Sequence, residues 1–219
     1  MEYAFHIYNK QSADGAAIAT TKLLHALYEK RETLTKRRFA NSTGAGMRSN
    51  TENTGITTPR KPPVVVCIGS DLAIGDSLGP ITGSLIKHKT QGLGVFVYGT
   101  LAAPITAKEV KFLRAFLRET HADAPIVAVD AAVGSAGDIG LIRICDTPLY
   151  PGAGANKKLG AIGDISILGI VAEKSVANYG LLNTTRLNLV YTASQIISDA
   201  LATMLWEYAK SNPYRNENA

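Results

Sequence analysis

The sequence is short of the features that mark secreted, membrane-spanning and zinc-binding proteins. Its 219 residues include two cysteines, Cys67 and Cys145, and both lie in apolar runs without a CxxC motif or a nearby histidine. Such cysteines support neither a disulfide framework nor a zinc site. No run approaches the roughly 18 apolar residues of a membrane-spanning helix, and the start, MEYAFHIYNK, lacks the pattern of a secretory signal. We therefore expect a cytoplasmic protein.

A net charge of +5 invites a nucleic-acid-binding interpretation, but the positive excess is confined to one segment. Residues 1–62 contain 10 Lys and Arg against 5 Asp and Glu, whereas residues 63–219 contain 13 against 13. A nucleic-acid-binding fold is expected to carry its basic patch on the folded body, and this body is neutral. The sequence therefore ranks nucleic-acid binding low.

Residues 64–80, VVVCIGSDLAIGDSLGP, are the most informative stretch of the chain. The first five are apolar without polar alternation, which is typical of a strand covered on both faces in a parallel sheet. The glycines that follow allow a sharp turn into a helix, so that Asp71 and Asp76 lie just beyond the carboxyl end of a strand. Ligands bind at that edge of open α/β sheets.

Asp76 has a simpler interpretation, as the N-cap of the following helix, because aspartate is favoured at that position. A second acid in a matching position favours a functional role. Residues 126–130, IVAVD, form another apolar run that ends in a carboxylate, Asp130, and small residues follow it. Two strands of one sheet would then bring two acids to one edge.

The remaining elements alternate in a way that predicts the sheet. From residue 64 onward the patterns indicate strands at 64–68, 95–98, 126–130, 139–145 and 163–171, and helices at 81–87, from Thr106 through Leu117, and at 187–208. The initial β-α-β-α-β order calls for a parallel sheet with helices on its faces. The turn after Asp130 is too short for a parallel crossover, so the sheet becomes mixed there.

The chain ends differ in composition from the central part. Residues 13–32 carry Ile18, Leu23, Leu24 and Leu27 at helical spacing and predict a docking helix. Residues 33–63 lack apolar periodicity and predict a long loop or linker. We therefore divide the chain into an N-terminal helix with a basic flexible linker (1–62), one α/β domain (63–210) and a disordered tail (211–219).

A glycine-rich loop at 150–159, YPGAGANKKL, resembles a phosphate-binding loop but lacks the GxxxxGK[ST] spacing. No GxGxxG opens a helix after the first strand either, so nucleotide binding lacks its usual signature. A tight turn close to the acid edge explains the loop equally well. Residues with a predicted supporting or substrate-binding role around the two acids are Asp71, Gly75, Thr100, Gly152, Gly154, Asn156 and Lys157.

Several segments in a fixed order resemble the YyaC-type sporulation proteins, which are similar to the spore germination protease. These segments are GSDLAIGDSLGP, GTLAAPITAKE, VAVDAAVG, PGAGANKKLGAIGDISILGIV and NTTRLNLV. The resemblance implies a three-layer α/β/α sandwich with a mainly parallel, mixed central sheet, shared with the hydrogenase maturation endopeptidases. It also implies that Asp76 and Asp130 are the acids of an aspartic-type peptidase. The chain departs from the family pattern at Ala103, Thr106 and Ala132, where an acid, a histidine and a cysteine are common.

Two carboxylates close together cannot both ionise easily, so one can act as an acid and the other as a base. We expect Asp130, at the end of an apolar strand, to be the protonated member and Asp76, near a helix N-terminus, to keep its charge. The hydrogenase endopeptidases bind nickel with a histidine after the second acid. All four histidines here precede Asp130, so we expect neither a metal nor a cofactor.

The resemblance implies a protein or peptide substrate, with small acid-soluble spore proteins as candidates, in a sporulating cell or forespore. The alternative is a non-catalytic sporulation protein that uses the same fold and acid edge to bind a partner, because fold does not establish activity. A weaker alternative is nucleotide or small-molecule hydrolysis at this edge. Homo-oligomerisation is left open, and the apolar segment 179–182 suits either an interface or a core loop.

Overall fold

The computed structural model describes residues 1–42, 60–151, 160–174 and 185–212. The strands and helices in these residues are, in chain order, β1 (Glu2–His6), α1 (Ser12–Ser42), β2 (Val64–Cys67), α2 (Leu78–Lys89), β3 (Phe96–Tyr98), α3 (Val110–Thr120), β4 (Ile126–Gly134), β5 (Leu141–Cys145), β6 (Ile165–Glu173) and α4 (Leu187–Ser211). Two short 3₁₀ turns, Gly75–Ser77 and Ala136–Asp138, precede α2 and β5.

The strands form one six-stranded mixed sheet in the order β1-β5-β6-β4-β2-β3. Strands β3, β2, β4 and β6 are parallel neighbours, whereas β5 pairs antiparallel with β6 and β1 antiparallel with β5. The short connection after β4 makes this change of direction, because a parallel crossover needs a dozen or more residues. The predicted mixed, mainly parallel sheet is confirmed.

Helices cover both faces of the sheet. Alternation along β2 sends Val65 and Cys67 into a core with α1, α2 and α4, and Val64 and Val66 into a second core with α3. All four residues of β2 are buried, as its unbroken apolar run predicts for a strand covered twice. The predicted α/β/α sandwich is therefore confirmed, with three helices on one face and α3 on the other.

The N-terminal region differs from its prediction. Residues 2–6 were not predicted as a strand, yet they pair with β5 along the sheet edge. Helix α1 continues to Ser42, so the predicted loop over residues 33–42 was wrong. Its Lys and Arg residues are good helix formers, and a polar helical end needs no apolar stripe. Residues 43–59 of the predicted linker lie outside the described part of the chain.

Helix α1 packs against α4 through a face that the sequence predicted in part. Leu23, Leu24 and Tyr28 are buried, but Ile18 is 69% exposed. The aromatic rings of Tyr28 and Tyr208 stack with their centres 6.0 Å apart. Strand β1 and helix α1 thus belong to the same sheet and core as the later elements. The division of the chain at residues 62 and 210 stays a prediction.

Two predicted element ends were wrong for local reasons. Helix α3 begins at Val110 rather than after Thr106; the intervening residues form a turn in which the Thr106 amide donates to the Glu109 carboxylate (2.9 Å). Strand β4 does not end at Asp130 but continues to Gly134. The small residues after Asp130 keep pairing because β6 continues beside them as far as Glu173. None of the described helices has the length and apolarity needed to cross a membrane.

Candidate active site

The site lies where the chain leaves the carboxyl end of β2. Beyond Cys67, the Ile68 amide donates to the carbonyl oxygen of Val129 (2.8 Å), and the Gly69 amide donates to that of Ile105 (2.9 Å). The chain then turns through the 3₁₀ turn Gly75–Ser77 directly into α2. These bonds hold the start of the turn against β4 on one side and the segment after β3 on the other.

Two glycines allow the turn to fold back on the end of β2. Gly69 has φ +145°, and a Cβ atom there would lie 2.1 Å from the carbonyl oxygen of Asp76. A Cβ atom on Gly79 would lie 2.0 Å from the carbonyl oxygen of Ile68. Contacts this short are impossible, so only glycine permits this approach. The backbone of Asp76 is thereby fixed above the strand end, and the Ser70 amide donates to its carbonyl oxygen (3.1 Å).

Asp76 is half-buried in the 3₁₀ turn, two residues before α2. It is not the N-cap of α2, because Ser77 occupies that position. The Ser77 hydroxyl donates to the carbonyl oxygen of Ile74 (2.6 Å) and makes no capping bond. The simpler interpretation of Asp76, as a helix cap, therefore does not describe this structure.

Asp130 lies one residue beyond the last β2–β4 pair, Cys67 with Val129, and is opposite Leu168 of β6. It follows Ala128 by two residues and so shares its face of the sheet, the face covered by α3. The residue is 9% exposed. A carboxyl group is thus buried at the centre of the sheet, level with the point at which β2 ends.

The environment of Asp130 favours its protonated form. Burial raises the pKa of the Asp130 carboxyl well above its ordinary value, and the charge of Asp76 raises that pKa further. The Ala131 amide donates to Oδ1 of Asp130 (2.8 Å) and opposes these effects. Desolvation and a neighbouring like charge both penalise the carboxylate. Burial and the charge of Asp76 therefore both favour the protonated form of Asp130.

The predicted supporting residues fall into three groups. Gly75 is buried in the 3₁₀ turn, whereas Asp71 is exposed in the turn before it. Thr100 is buried after β3 and exchanges backbone hydrogen bonds with Ala103 (3.1 Å each). The remaining four, which belong to the glycine-rich loop, lie outside the described residues: Gly152, Gly154, Asn156 and Lys157.

Sequence reasoning missed three residues that support the turn from α2, α4 and β6. The Ser84 hydroxyl of α2 accepts a hydrogen bond from the Leu101 amide (2.9 Å). The buried Ser194 hydroxyl of α4 donates to the carbonyl oxygen of Leu78 (3.2 Å). Gly169 of β6 leaves room for the Leu78 side chain, because a Cβ atom at position 169 would lie only 2.4 Å from Cδ1 of Leu78. In the sequence, these three positions could have been noticed only as small or polar residues inside apolar segments.

The described residues do not form a metal centre. No group of three or more His, Cys, Asp and Glu side chains is arranged to hold an ion in the described ranges. The two aspartates alone supply too few oxygen ligands for a hard cation. We therefore derive no step that involves a metal.

The sequence matches a known protein family over most of its length. A family model described as "Protein of unknown function (DUF1256)" matches residues 42–200. The chain is 39% identical over 156 residues to "Uncharacterized protein YyaC" of Bacillus subtilis (strain 168), across 70% of this chain and 76% of that protein. The predicted resemblance to YyaC-type proteins is thus confirmed.

The chain also has a distant match among solved structures. It is the [NiFe] hydrogenase maturation protease HycI from Thermococcus kodakarensis KOD1, with a TM-score of 0.35 and 17% sequence identity. The match covers 65% of this chain and 96% of that one.

Proposed function

We infer a function for this chain, which belongs to the DUF1256 family of proteins of unknown function, from the two aspartates at the carboxyl edge of its sheet. It is a metal-independent peptidase that hydrolyses peptide bonds with Asp76 and Asp130. The single observation that supports this proposal is the buried Asp130 carboxyl, whose pKa is raised by burial and by the charge of Asp76. Strongly perturbed carboxyl groups with a specific charged partner are typical of catalytic sites.

The two acids divide the chemistry between them. Asp76, half-buried and ionised, accepts a proton from a water molecule as that water attacks the peptide carbonyl carbon. Asp130, which holds a proton, donates it to the carbonyl oxygen. The C–N bond of the tetrahedral intermediate then breaks and the leaving nitrogen takes the proton from Asp76. One hydroxyl of the intermediate returns its proton to Asp130 as the carbonyl double bond re-forms, so both acids regain their starting states. A carboxyl group with a raised pKa beside a second carboxyl group suits a pair in which one member is the acid and the other the base.

The substrate class follows from the family resemblance. We propose a protein or peptide substrate in a sporulating cell, with small acid-soluble spore proteins as the first candidates. The turn that carries Asp76 presents apolar side chains to solvent, since Leu72 is 91% and Ile74 38% exposed. An extended apolar peptide segment would bury this surface beside the acids.

The test is a cleavage assay with purified full-length protein between pH 4 and 8. Small acid-soluble spore proteins are the substrates, and the variants are Asp76→Asn and Asp130→Asn. Each substitution should lower the rate 10²-fold or more, because general acid–base groups contribute about 10²- to 10⁴-fold. Glu119→Gln, which removes an exposed carboxylate from α3, should keep the wild-type rate, as should added chelator. Absence of cleavage by the wild-type protein at every pH would overturn the peptidase proposal.

The exposed apolar residues on the turn also favour a second candidate, a non-catalytic protein that binds a partner at the acid edge. Leu72 and Ile74 would then supply contact area without chemistry. The same spore proteins would bind in a titration without being cleaved. Leu72→Ser would weaken that binding, whereas Asp130→Asn would leave it intact.

A further inference from the structure

A cavity lies at the opposite end of β4 from Asp130. This cavity, of about 500 Å³, opens at the amino-terminal ends of β4 and β6, where Ile126 and Asp164 form part of its wall. Its other main lining residues are Arg31, Arg114, Arg118, His121, Leu117 and Ile162. Pockets for small molecules fall in this size range. Asp130 lies four residues beyond Ile126 on β4, which is roughly 13 Å at the rise of a strand. The cavity is therefore separate from the edge that carries the two aspartates.

One arginine of the cavity is already neutralised. Arg31 forms an ion pair with Oδ1 of Asp164 (2.9 Å) and donates to the carbonyl oxygen of Asp123 (2.6 Å). The other carboxylate oxygen of Asp164 accepts a hydrogen bond from the Ile126 amide (2.9 Å). Arg31 and Asp164 thus satisfy each other and stiffen the wall. The Asp123 carboxylate is 89% exposed and lies 3.9 Å from Lys61.

Arg114 and Arg118 carry charge that this wall does not neutralise. Both are exposed on α3, one helical turn apart. Neither forms an ion pair or a side-chain hydrogen bond with any residue in the described ranges. Like charges four residues apart destabilise a helix. An anion between the two guanidinium groups would remove that repulsion.

A glycine makes room for one of these arginines. Gly160 has φ +81°, and a Cβ atom there would lie 2.3 Å from Nη1 of Arg114. The absence of a side chain at position 160 therefore makes room for the guanidinium group against the backbone. The Arg114 guanidinium group therefore lies close to the backbone at Gly160, next to the cavity residues Ala161 and Ile162.

The remaining wall is uncharged. Leu117 and Ile162 are buried apolar residues, and Nε2 of His121 lies 2.7 Å from the hydroxyl of Tyr98. Burial lowers the pKa of His121, so its ring is neutral at pH 7. The Asp123 carboxylate also lines the cavity, but Lys61 lies 3.9 Å from it. The cationic side chains of the lining that have no ion pair within the described residues are therefore Arg114 and Arg118, beside an apolar surface.

We propose that this cavity binds a small organic phosphate, with the phosphate on Arg114 and Arg118 and the organic part against Leu117 and Ile162. Two guanidinium groups match the charge of a phosphate monoester dianion, and their planar donors suit its oxygens. The apolar wall distinguishes an organic phosphate from free phosphate. This site does not depend on the peptidase proposal, since no residue is shared.

The test is a calorimetric titration of the full-length protein with phenyl phosphate, inorganic phosphate and benzoate. Phenyl phosphate should bind more tightly than the other two, because it alone combines a dianion with an apolar group. The double variant Arg114→Gln, Arg118→Gln should weaken its binding at least tenfold, which corresponds to about 1.4 kcal/mol. Gly160→Ala should also weaken binding, since the added methyl group displaces Arg114.

The matched control is Lys108→Gln, Lys111→Gln, which removes the same charge from the start of α3 and its approach, outside the cavity wall. It should retain wild-type affinity. Unfolding temperatures measured without ligand should not fall in the arginine variant, because its side chains are exposed and unpaired within the described chain. Equal losses in both double variants, equal affinity for phenyl phosphate and inorganic phosphate, tighter binding of benzoate, or no binding of any probe would each overturn the proposal.

Discussion

The charge of Asp76 acts on Asp130 across the carboxyl edge of the sheet and raises the pKa of its carboxyl group. The two residues are 54 positions apart in the sequence. They come within electrostatic range of each other because β2 and β4 are adjacent parallel strands, and Gly69 lets the chain after β2 fold back over the strand end. The proposed peptidase chemistry depends on this one relationship.

We first predict that Asp76→Asn lowers the pKa of Asp130. The substitution removes the negative charge that disfavours the Asp130 carboxylate, whereas the effect of burial remains. The pKa should therefore fall but stay above the ordinary aspartate value. Carboxyl-carbon NMR titration of Asp130 measures it, and Asp71→Asn, on the exposed part of the same turn, should leave it in place. An unchanged pKa in Asp76→Asn would show that the two acids do not interact.

We next predict that Asp130→Asn flattens the pH dependence of stability. Because the pKa of Asp130 is raised on folding, the folded state keeps a proton that the unfolded state loses above about pH 4. The wild-type free energy of unfolding therefore falls as pH rises toward the folded-state pKa. The loss is about 1.4 kcal/mol for each unit of pKa difference.

The asparagine variant has no such loss and should be the more stable protein at pH 7 to 8, with the difference shrinking toward pH 4. Asparagine can still accept the Ala131 hydrogen bond through its Oδ1 atom. Urea unfolding at one-unit pH steps measures the effect. Parallel pH profiles of the two proteins would contradict the assigned protonation state.

A third prediction concerns the packing of β3 on β2. Gly99 has φ +84°, and a Cβ atom there would lie 1.8 Å from the carbonyl oxygen of Cys67. Gly99→Ala should therefore lower the free energy of unfolding through both backbone strain and steric overlap. Overlap of this kind costs about 1–3 kcal/mol, in addition to the strain.

Gly92 provides the matched control, because it has the same φ of +84° but nothing within 4 Å of an added Cβ atom. Gly92→Ala should show the backbone strain alone, about 1–2 kcal/mol. The difference between the two variants in chemical denaturation measures the steric effect. Equal destabilisation would show that β3 and β2 separate readily.

A fourth prediction tests whether α1 belongs to the folded body. Leu24 is 3% exposed within the core shared with α4, whereas Ile18 on the same helix is 69% exposed. Leu24→Ala should lower the free energy of unfolding by about 2–5 kcal/mol. Ile18→Ala should change it by less than about 0.5 kcal/mol. Thermal unfolding of both variants measures these changes. A Leu24→Ala variant as stable as the wild-type protein would show that α1 is not part of the folded core.

The sequence predicted the central elements because their apolar patterns are complete in themselves. The run from Val64 to Cys67 is uniformly apolar and is buried on both faces, and α4 begins at the predicted Leu187. Strand β1 could not be predicted in this way. It is an edge strand with one partner, β5, so its short alternating pattern is weak and its pairing is set by a strand more than 130 residues away.

The site was predictable where a motif determined local geometry and unpredictable where distant residues did. The glycines around Asp76 indicated a tight turn, and the apolar run before Asp130 indicated a buried acid. The continuation of β4 beyond Asp130 depends on β6, and the support from Ser194 depends on α4. Neither partner is visible from the residues around the acids. The cationic cavity was missed because Arg114 and Gly160 are far apart in sequence.

The depth of β2 has a practical use. Burial raises the pKa of both thiols, but Cys67 is fully buried, whereas Cys145 on β5 is partly exposed. Since a reagent must reach the sulfur of a thiolate to react, a thiol-specific reagent should modify Cys145 in the native protein and leave Cys67 untouched. The rate at which Cys67 is labelled would then report how often the central strands open. Mass spectrometry can follow this rate without an engineered probe.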